Sequence, residues 1–439
     1  MTSTHDETST CHSGTSLAPG DEASLRAGLT AIGDDLLGIS HSIHAHPEIR
    51  FQEHHAFELL TRTLREEGFA VQTDIGGLDT SFRAEAVYGD GGPTLAFVCE
   101  YDALEGIGHG CGHNIIAAAG LGGALLVKRL IEQLLERGEH GAAGRIVVIG
   151  TPGEEGGGGK AYMVEAGCFD DLDAAIMIHP AGENLSGMST LGRVALTFEF
   201  TGTPAHAAVN PERGVNALDA AVLTLNAVGL LRQQLPSDVR VHAVIEDGGD
   251  VPNIIPSRSF IRAFVRAPRT DVLLNDVVPR VINCARGAAL ATGTEVDLQL
   301  PTPPYAALRP NPVLQDLVES AFARLGRTTV PPLQEAFPGS TDMGNVSQIV
   351  PVIHPNVELQ TGLNMHSQQA TDLAGGPRGD EAVLDGALLL AMTATQLLRS
   401  PALLDDVRSA FVPGVRTPAT VDSVEDLRRI FAQQESAGN

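Results

Sequence analysis

Between Gly108 and Gly120 the chain reads GHGCGHNIIAAAG, placing His109, Cys111 and His113 at every second position among glycines, just ahead of an apolar run. Thiolate and imidazole are ligands for borderline-soft divalent cations, so this grouping points to a metal. In an extended segment, residues two apart point the same way. His109, Cys111 and His113 would then share one face and Gly108, Gly110 and Gly112 the other. Glycine lets the backbone approach a ligand closely, and the start of a following helix favours a thiolate. Cys-x-His is not a complete zinc signature, and a loop with incidental histidines remains the alternative for the stretch in isolation.

Three further segments carry groups of the same kind. TPGEEGGGGK sets Glu154 and Glu155 after the β-rich run Arg145–Gly150, His179 closes the run Ala174–Ile178, and His366 follows the run Val350–Leu359. Sites in open α/β sheets form beyond the carboxyl ends of strands. Four chain segments thus bring Cys, His, Glu, His and His to one sheet edge, enough for two divalent metals that share a bridge. Neighbouring side chains in an extended turn diverge, so one of Glu154 and Glu155 can bind metal while the other faces the activated water. A general base beside such a water is what amide hydrolysis requires near neutral pH. The glycine run also invites a phosphate-loop reading. That motif needs a glycine where Glu154 stands and Ser or Thr where Ala161 stands, and two carboxylates would repel a phosphate, so nucleotide binding is excluded.

The elements that must position these groups fall into two grammars. Helical periodicity covers Glu22–His44 and Glu53–Glu67, strands are expected at Phe82–Tyr88, Thr94–Glu100, Arg145–Gly150 and Ala174–Ile178, and a long helix at Ile115–Leu135, capped by Asn114. Strands alternating with helices predict an α/β mixed sheet with helices on its faces. From Val194 to Leu300 the order becomes βαββαβ, an inserted α+β ferredoxin-like unit, with strands at Val194–Thr201, Val239–Glu246, Ser259–Arg266 and Thr294–Leu300 and helices at Gly214–Leu235 and Thr270–Ala291. The proline-rich PTPPYAALRPNP leads back to helix Pro312–Leu325, strand Val350–Leu359 and helix Glu381–Leu398. The expected organisation is a flexible leader (1–20), a catalytic domain (21–192 and 305–400) interrupted by the inserted domain (193–304), and a C-terminal extension (401–439) with an amphipathic segment at Val421–Phe431.

Bulk composition sets outer limits. The 439 residues exceed one ordinary core, which predicts two domains. A net charge of −25 disfavours nucleic acid and anionic membrane as partners, and the absence of tryptophan with 4% aromatic residues weakens any stacking surface. The polar first twenty residues and the lack of an uncharged apolar run of about 18 residues point to a cytoplasmic protein. Five irregularly spaced cysteines form no disulfide framework. Cys99, Cys168 and Cys284 read as buried apolar residues, with Cys111 the exception.

These motifs resemble the M20 family of metallopeptidases and amidohydrolases, in the branch of the β-alanyl dipeptidases and aminobenzoyl-glutamate hydrolase subunits. The matching pieces run from IHAHPEIRFQEHHA through YDALEGIGHGCGHN, TPGEEGGGGKAYM, FDDLDAAIMIHP, TGTPAHAA, VPNIIPS and GSTDMGNVS to NMHSQQ. The resemblance implies two divalent cations, zinc or manganese with cobalt acceptable, held by Cys111 as the bridge with His113, Glu155, His179 and His366. It makes Glu154 the general base and the inserted domain a lid and homodimer interface. His206 would steady the oxyanion, often from the partner subunit, and Asn253, Arg266, Gly339, Ser340 and Thr341 would bind substrate. His109 is left to support the ligands. The H-x-D-x-V-P ligand motif of other branches is absent, with Val98, Glu100 and Asp102 in that region. The expected activity is metal-dependent hydrolysis of a small amide such as a dipeptide, an N-acyl amino acid or an aminobenzoyl-glutamate-like compound. The alternative is a non-catalytic or partner-dependent amide-binding subunit.

Overall fold

The computed structural model describes residues 17–139 and 143–419. The chain opens with helices α1 (Pro19–Ala45) and α2 (His54–Glu66), followed by strands β1 (Ala70–Thr73), β2 (Phe82–Tyr88) and β3 (Thr94–Cys99). In α1, Leu25, Ile32, Leu36, Ile39 and Ile43 recur at helical spacing and are all buried. Next come α3 (His113–Glu136), β4 (Gly144–Gly150), α4 (Gly159–Glu165), β5 (Ala174–Ile176) and β6 (His179–Ala181). Every residue of β3 is buried, as expected of a strand covered on both faces.

A second unit follows: β7 (Gly192–Thr201), α5 (Ala217–Leu231), β8 (Arg240–Asp247), β9 (Arg258–Ala267), α6 (Val278–Thr292) and β10 (Glu295–Gln299). The chain then returns through α7 (Pro312–Leu325), β11 (Val352–Ile353), β12 (Asn356–Glu358), α8 (Gln368–Ala374), α9 (Pro377–Arg399) and α10 (Pro401–Ala410).

The main sheet has the order β1-β2-β4-β3-β5-β11. Its parallel part comprises β4, β3, β5 and β11, while β2 runs antiparallel to both β1 and β4. α3 packs against α9, α1 and β3. Gly120 makes the last contact possible, because a Cβ there would lie 2.7 Å from Cys99 Sγ. α3 and α9 are each long and apolar enough to cross a membrane, yet 89% and 83% of their most apolar windows are buried inside the fold. The second unit is a separate antiparallel sheet, β10-β7-β9-β8, with its own apolar core formed with α5 and α6. This is the ferredoxin-like order.

Several elements differ from the expectation. The run Val350–Leu359 is not one strand: β11 joins the main sheet, and β12 pairs with β6 in a two-stranded sheet of its own. Pro355 sits at the break, where it cannot donate to a ladder, and its carbonyl accepts from the His179 N–H. The same break divides Ala174–Ile178 from His179. The helix expected over Thr270–Ala291 begins with one turn at Thr270–Val272 and a π-turn at Leu273–Val277 before α6, where Pro279 lacks the N–H that a continuous helix would use. α10 arises where the sequence marked only an extension. Pro401 opens it rather than stopping α9, and the Ser400 hydroxyl accepts from the Leu403 N–H. The segment Val421–Phe431 lies outside the described residues. Cys99 is buried, whereas Cys168 and Cys284 are only partly so.

Candidate active site

The turn between β3 and α3 is folded, not extended: the Gly110 N–H bonds the Gly108 carbonyl, and the Gly112 N–H bonds the His109 carbonyl. His113 is the first residue of α3, and the position before the helix belongs to Gly112, whose φ is 70°. A Cβ on Gly112 would meet Pro180 Cγ at 2.5 Å, so glycine lets this turn close against β6. Asn114 does not cap the helix; its Nδ2 donates to Ser40 Oγ and to the Ala374 carbonyl at 2.9 and 3.0 Å. The shared face expected for His109, Cys111 and His113 is therefore lost. His109 is buried with Nε2 3.1 Å from the Ile43 carbonyl, and burial, then the nearby His113 charge, pushes its pKa down to about 3.

Cys111 and His113 nonetheless meet the other candidate ligands. The ligand atoms of Cys111, His113 and His179 lie within 4.8 Å of one another, and so do those of Cys111, Glu155 and His366. Cys111 belongs to both groups. A third group joins His113, Glu154 and Glu155, so the two glutamates face one cluster instead of diverging. Cys111 Sγ is 3.4 Å from His179 Nε2, and Glu155 Oε1 is 3.4 Å from His366 Nε2 and 3.9 Å from His113 Nε2. Among the described residues, His113 Nε2 and Glu155 Oε1 are buried with no hydrogen-bond partner. Buried polar atoms are nearly always paired, and a thiol, imidazoles and a carboxylate around two orphans fit divalent cations as the missing partners.

The neighbouring residues orient these donors. Asp102 Oδ1 accepts from His113 Nδ1 at 3.0 Å, while Oδ2 accepts the Glu155 N–H at 2.8 Å. The Nδ1 of His179 donates to the Pro180 carbonyl at 2.7 Å. Each ring is thereby fixed with Nε2 turned to the cluster. Burial works to lower the His113 pKa, but the Asp102 carboxylate and Cys111 hold it well above the ordinary histidine value. His366 has a φ of 60°, rare for a residue with a Cβ, and its N–H donates to the Gly110 carbonyl at 2.9 Å. That bond ties its loop to the Cys111 turn, and the unusual backbone is of the kind that collects at functional sites.

Beneath the cluster lies a buried ion triad. Lys160 Nζ is 2.5 Å from Glu100 Oε1 and 2.7 Å from Asp342 Oδ1, and Glu100 Oε2 is 3.6 Å from His113 Nε2. Lys160 is thus committed to two carboxylates and is not placed as a phosphate-loop lysine. Burial, then the charges of Glu155, Glu100 and Asp342, raise the Glu154 pKa well above the usual carboxylate range. The Glu154 carbonyl accepts from the Tyr305 hydroxyl at 2.7 Å. Glu53 holds the same loop: its Oε1 accepts the Phe51 and Gly153 N–H groups at 2.8 and 2.9 Å, and its Oε2 accepts from Thr80. His354, buried behind His179 with ring centroids 5.5 Å apart, is held neutral by burial and then by the charge of His179.

Of the expected substrate residues, Arg266 and Ser340 meet, with Nη1 2.9 Å from Ser340 Oγ and 3.1 Å from the Pro338 carbonyl. The Gly339 carbonyl accepts from the Leu191 N–H, and Thr341 is buried with its hydroxyl accepting from the Met343 N–H. His206 and Asn253 are exposed neighbours, linked by the Ala207 N–H to the Asn253 carbonyl. Among the described residues the His206 ring bonds only the Ala208 N–H, and none of the three ligand groups includes His206. Asp102, Glu100, Lys160, Asp342, Glu53 and Tyr305 were not assigned to the site from sequence. Glu100 and Asp102, two apart at the end of a buried strand, carried the one signal that could have found them.

Residues 86–374 match the family described as Peptidase family M20/M25/M40. The chain belongs to this family, and it is an enzyme of the hydrolase class. The Xaa-Arg dipeptidase of Mus musculus is 38% identical over 402 residues, spanning 89% of this chain and 90% of the relative. A p-aminobenzoyl-glutamate hydrolase subunit from Escherichia coli is 36% identical over 310 residues, spanning 66% of this chain and 62% of the relative. Among solved structures, an aminohydrolase from methicillin-resistant Staphylococcus aureus superposes with a TM-score of 0.68 at 19% identity, covering 86% of this chain and 100% of that one. A dinuclear metal-binding M20 peptidase from Bacillus subtilis superposes with a TM-score of 0.56 at 20% identity, covering 82% and 99%.

Proposed function

We propose that this chain hydrolyses the amide bond of a dipeptide, an N-acyl amino acid or an aminobenzoyl-glutamate-like compound, with Glu154 as the general base beside two divalent cations. The observation that carries the reading is Cys111, whose thiol belongs to two ligand groups at once, with Glu154 adjoining both through His113 and Glu155. The relatives support the substrate class: one is a dipeptidase and the other belongs to an aminobenzoyl-glutamate hydrolase.

Cys111, His113 and His179 would hold one cation, and Cys111, Glu155 and His366 the other. Their mixed sulfur, nitrogen and oxygen donors suit zinc or manganese and accept cobalt. When bound, such cations lower the pKa of water and polarise the amide carbonyl. Glu154 takes the proton of the attacking water as its oxygen bonds to the carbonyl carbon. It then delivers that proton to the amide nitrogen as the C–N bond breaks. Its raised pKa suits both halves of the transfer. Arg266, with Ser340, Gly339 and Thr341 beside it, would receive the substrate carboxylate, joined by Asn253 from the four-stranded unit acting as a lid. His206 would steady the developing oxyanion from the partner subunit of a homodimer formed through that unit. Its exposure, and its separation from the cluster's bonding, favour action across subunits.

Replacing Glu154 with Gln tests the assignment directly. The expected result is a loss of turnover of about 100- to 10,000-fold across a small-amide panel, with metal content unchanged. Retained turnover in a metal-loaded variant would overturn it.

A further inference from the structure

Strand β9 carries Arg258, Arg262 and Arg266 on one face. Arg258 is paired with Glu199 and Asp247, and Arg262 with Glu246. Among the described residues Arg266 has no carboxylate partner; its guanidinium bonds a carbonyl and the Ser340 hydroxyl. Directly across the ladder from it, in register on β7, stands Arg193. Arg193 also lacks a carboxylate partner among the described residues. It lies 4.2 Å over the Tyr305 ring and 5.2 Å from the Phe264 ring, with a 3.5 Å contact from Nη2 to Thr302 and a buried Nε that has no hydrogen-bond partner among the described residues. Arg240, in register with Arg266 on the other side, is turned back onto the Ser237 and Val239 carbonyls. In a chain of net charge −25, Arg193 and Arg266 thus face each other across the ladder with no carboxylate paired to either among the described residues. Burial, then the charge of Arg193, lowers the Arg266 pKa, so the pair bears mutual repulsion that an anion would relieve.

The pair is linked to the candidate site through Tyr305 and Ser340. Tyr305, on which Arg193 rests, donates to the Glu154 carbonyl, and Ser340, which Arg266 holds, is two residues from Asp342 of the buried ion triad. We infer that Arg193 and Arg266 together form a dianion cradle that selects substrates whose departing amino acid is acidic, with glutamate or aspartate at the C-terminal side of the scissile amide. Arg266 takes the α-carboxylate and Arg193 the side-chain carboxylate. The planar fork of guanidinium suits each. The same two charges disfavour a cationic departing residue, which separates this site from the preference named for the Xaa-Arg relative.

The inference rests on the hydrolase reading above, and the test separates the two. Steady-state kcat/KM is measured on the metal-loaded enzyme for matched substrates ending in Glu, Gln and Arg. In parallel, calorimetry measures binding of free glutamate, glutamine and arginine to the same protein. The expected result is at least about a tenfold preference for Glu over Gln in both measurements, with Arg weakest. In Arg193→Gln, shown by thermal melting to be folded, and to a lesser extent in Arg193→Lys, the Glu-to-Gln ratio falls toward unity. Hydrolysis without acidic preference, or a ratio unmoved by Arg193→Gln, overturns the cradle and leaves the hydrolase reading intact. Absence of hydrolysis with Arg193-dependent glutamate binding does the reverse. Glutamate binding no tighter than glutamine overturns the cradle whatever the hydrolysis result.

Discussion

In the proposed centre Cys111 carries the heaviest demand, because one thiol would serve two cations. Burial, then the Glu155 charge, raises its pKa well above the ordinary thiol value, so a cation has to compete with a proton for the sulfur. The two ligand groups share this residue and no other, which makes their variants unequal. Metal analysis after dialysis should read about two equivalents in the native protein, about one in His366→Ala and close to none in Cys111→Ala. Equal losses in the two variants would show that the thiol is not shared. Asp102 acts through His113 and the Glu155 backbone. Asp102→Asn should therefore weaken metal affinity about 10- to 100-fold while leaving stoichiometry at saturation unchanged, as read by competition with a chelator.

The elements around the ligands convert chain turns into fixed distances. Glu53, at the start of α2, reaches the Gly153 N–H and so holds the loop that bears both glutamates. Burial, then the charge of Asp102, raises its pKa from the usual 4.5 to about 7. The folded state therefore keeps a proton that the unfolded chain gives up. Its contribution is fully present below pH 4.5 and is lost as the pH climbs through about 7. The loss over that interval is roughly 3 kcal/mol by linkage. Glu53→Gln imitates the protonated acid, and urea unfolding should show a flatter stability slope across that window; an unchanged slope would contradict the account. Gly112→Ala forces a side chain against Pro180 at positive φ, and should cost about 1 to 3 kcal/mol with loss of metal affinity. The meeting of Cys111, His113, Glu154, Glu155, His179 and His366 was legible in the sequence because strand ends of an α/β sheet gather their loops at one edge. The Lys160 triad was not, since its partners lie far apart in the chain and only the packed sheet brings them together. The strand break at Pro355 was hidden for a different reason: the apolar run continues across it, and the pattern reports burial but not which sheet a residue joins.

At the scale of the whole molecule, two cores divide the labour. The main sheet gathers the ligands, and the four-stranded unit carries His206, Asn253 and the arginine pair. If His206 serves the partner's site, Glu154→Gln and His206→Ala proteins, each inactive alone, should complement when mixed under subunit exchange. One of two sites in each mixed dimer would be whole, giving about a quarter of the native rate. No recovery, with exchange verified, would place His206 within its own subunit. The central claim is the pair of cations flanking one thiol, and its most direct test is anomalous X-ray diffraction at the absorption edge of the metal in crystals of the loaded protein. The account predicts two peaks on either side of Cys111 Sγ, one toward His113 and His179 and the other toward Glu155 and His366. A single peak, or peaks remote from Cys111, would contradict it.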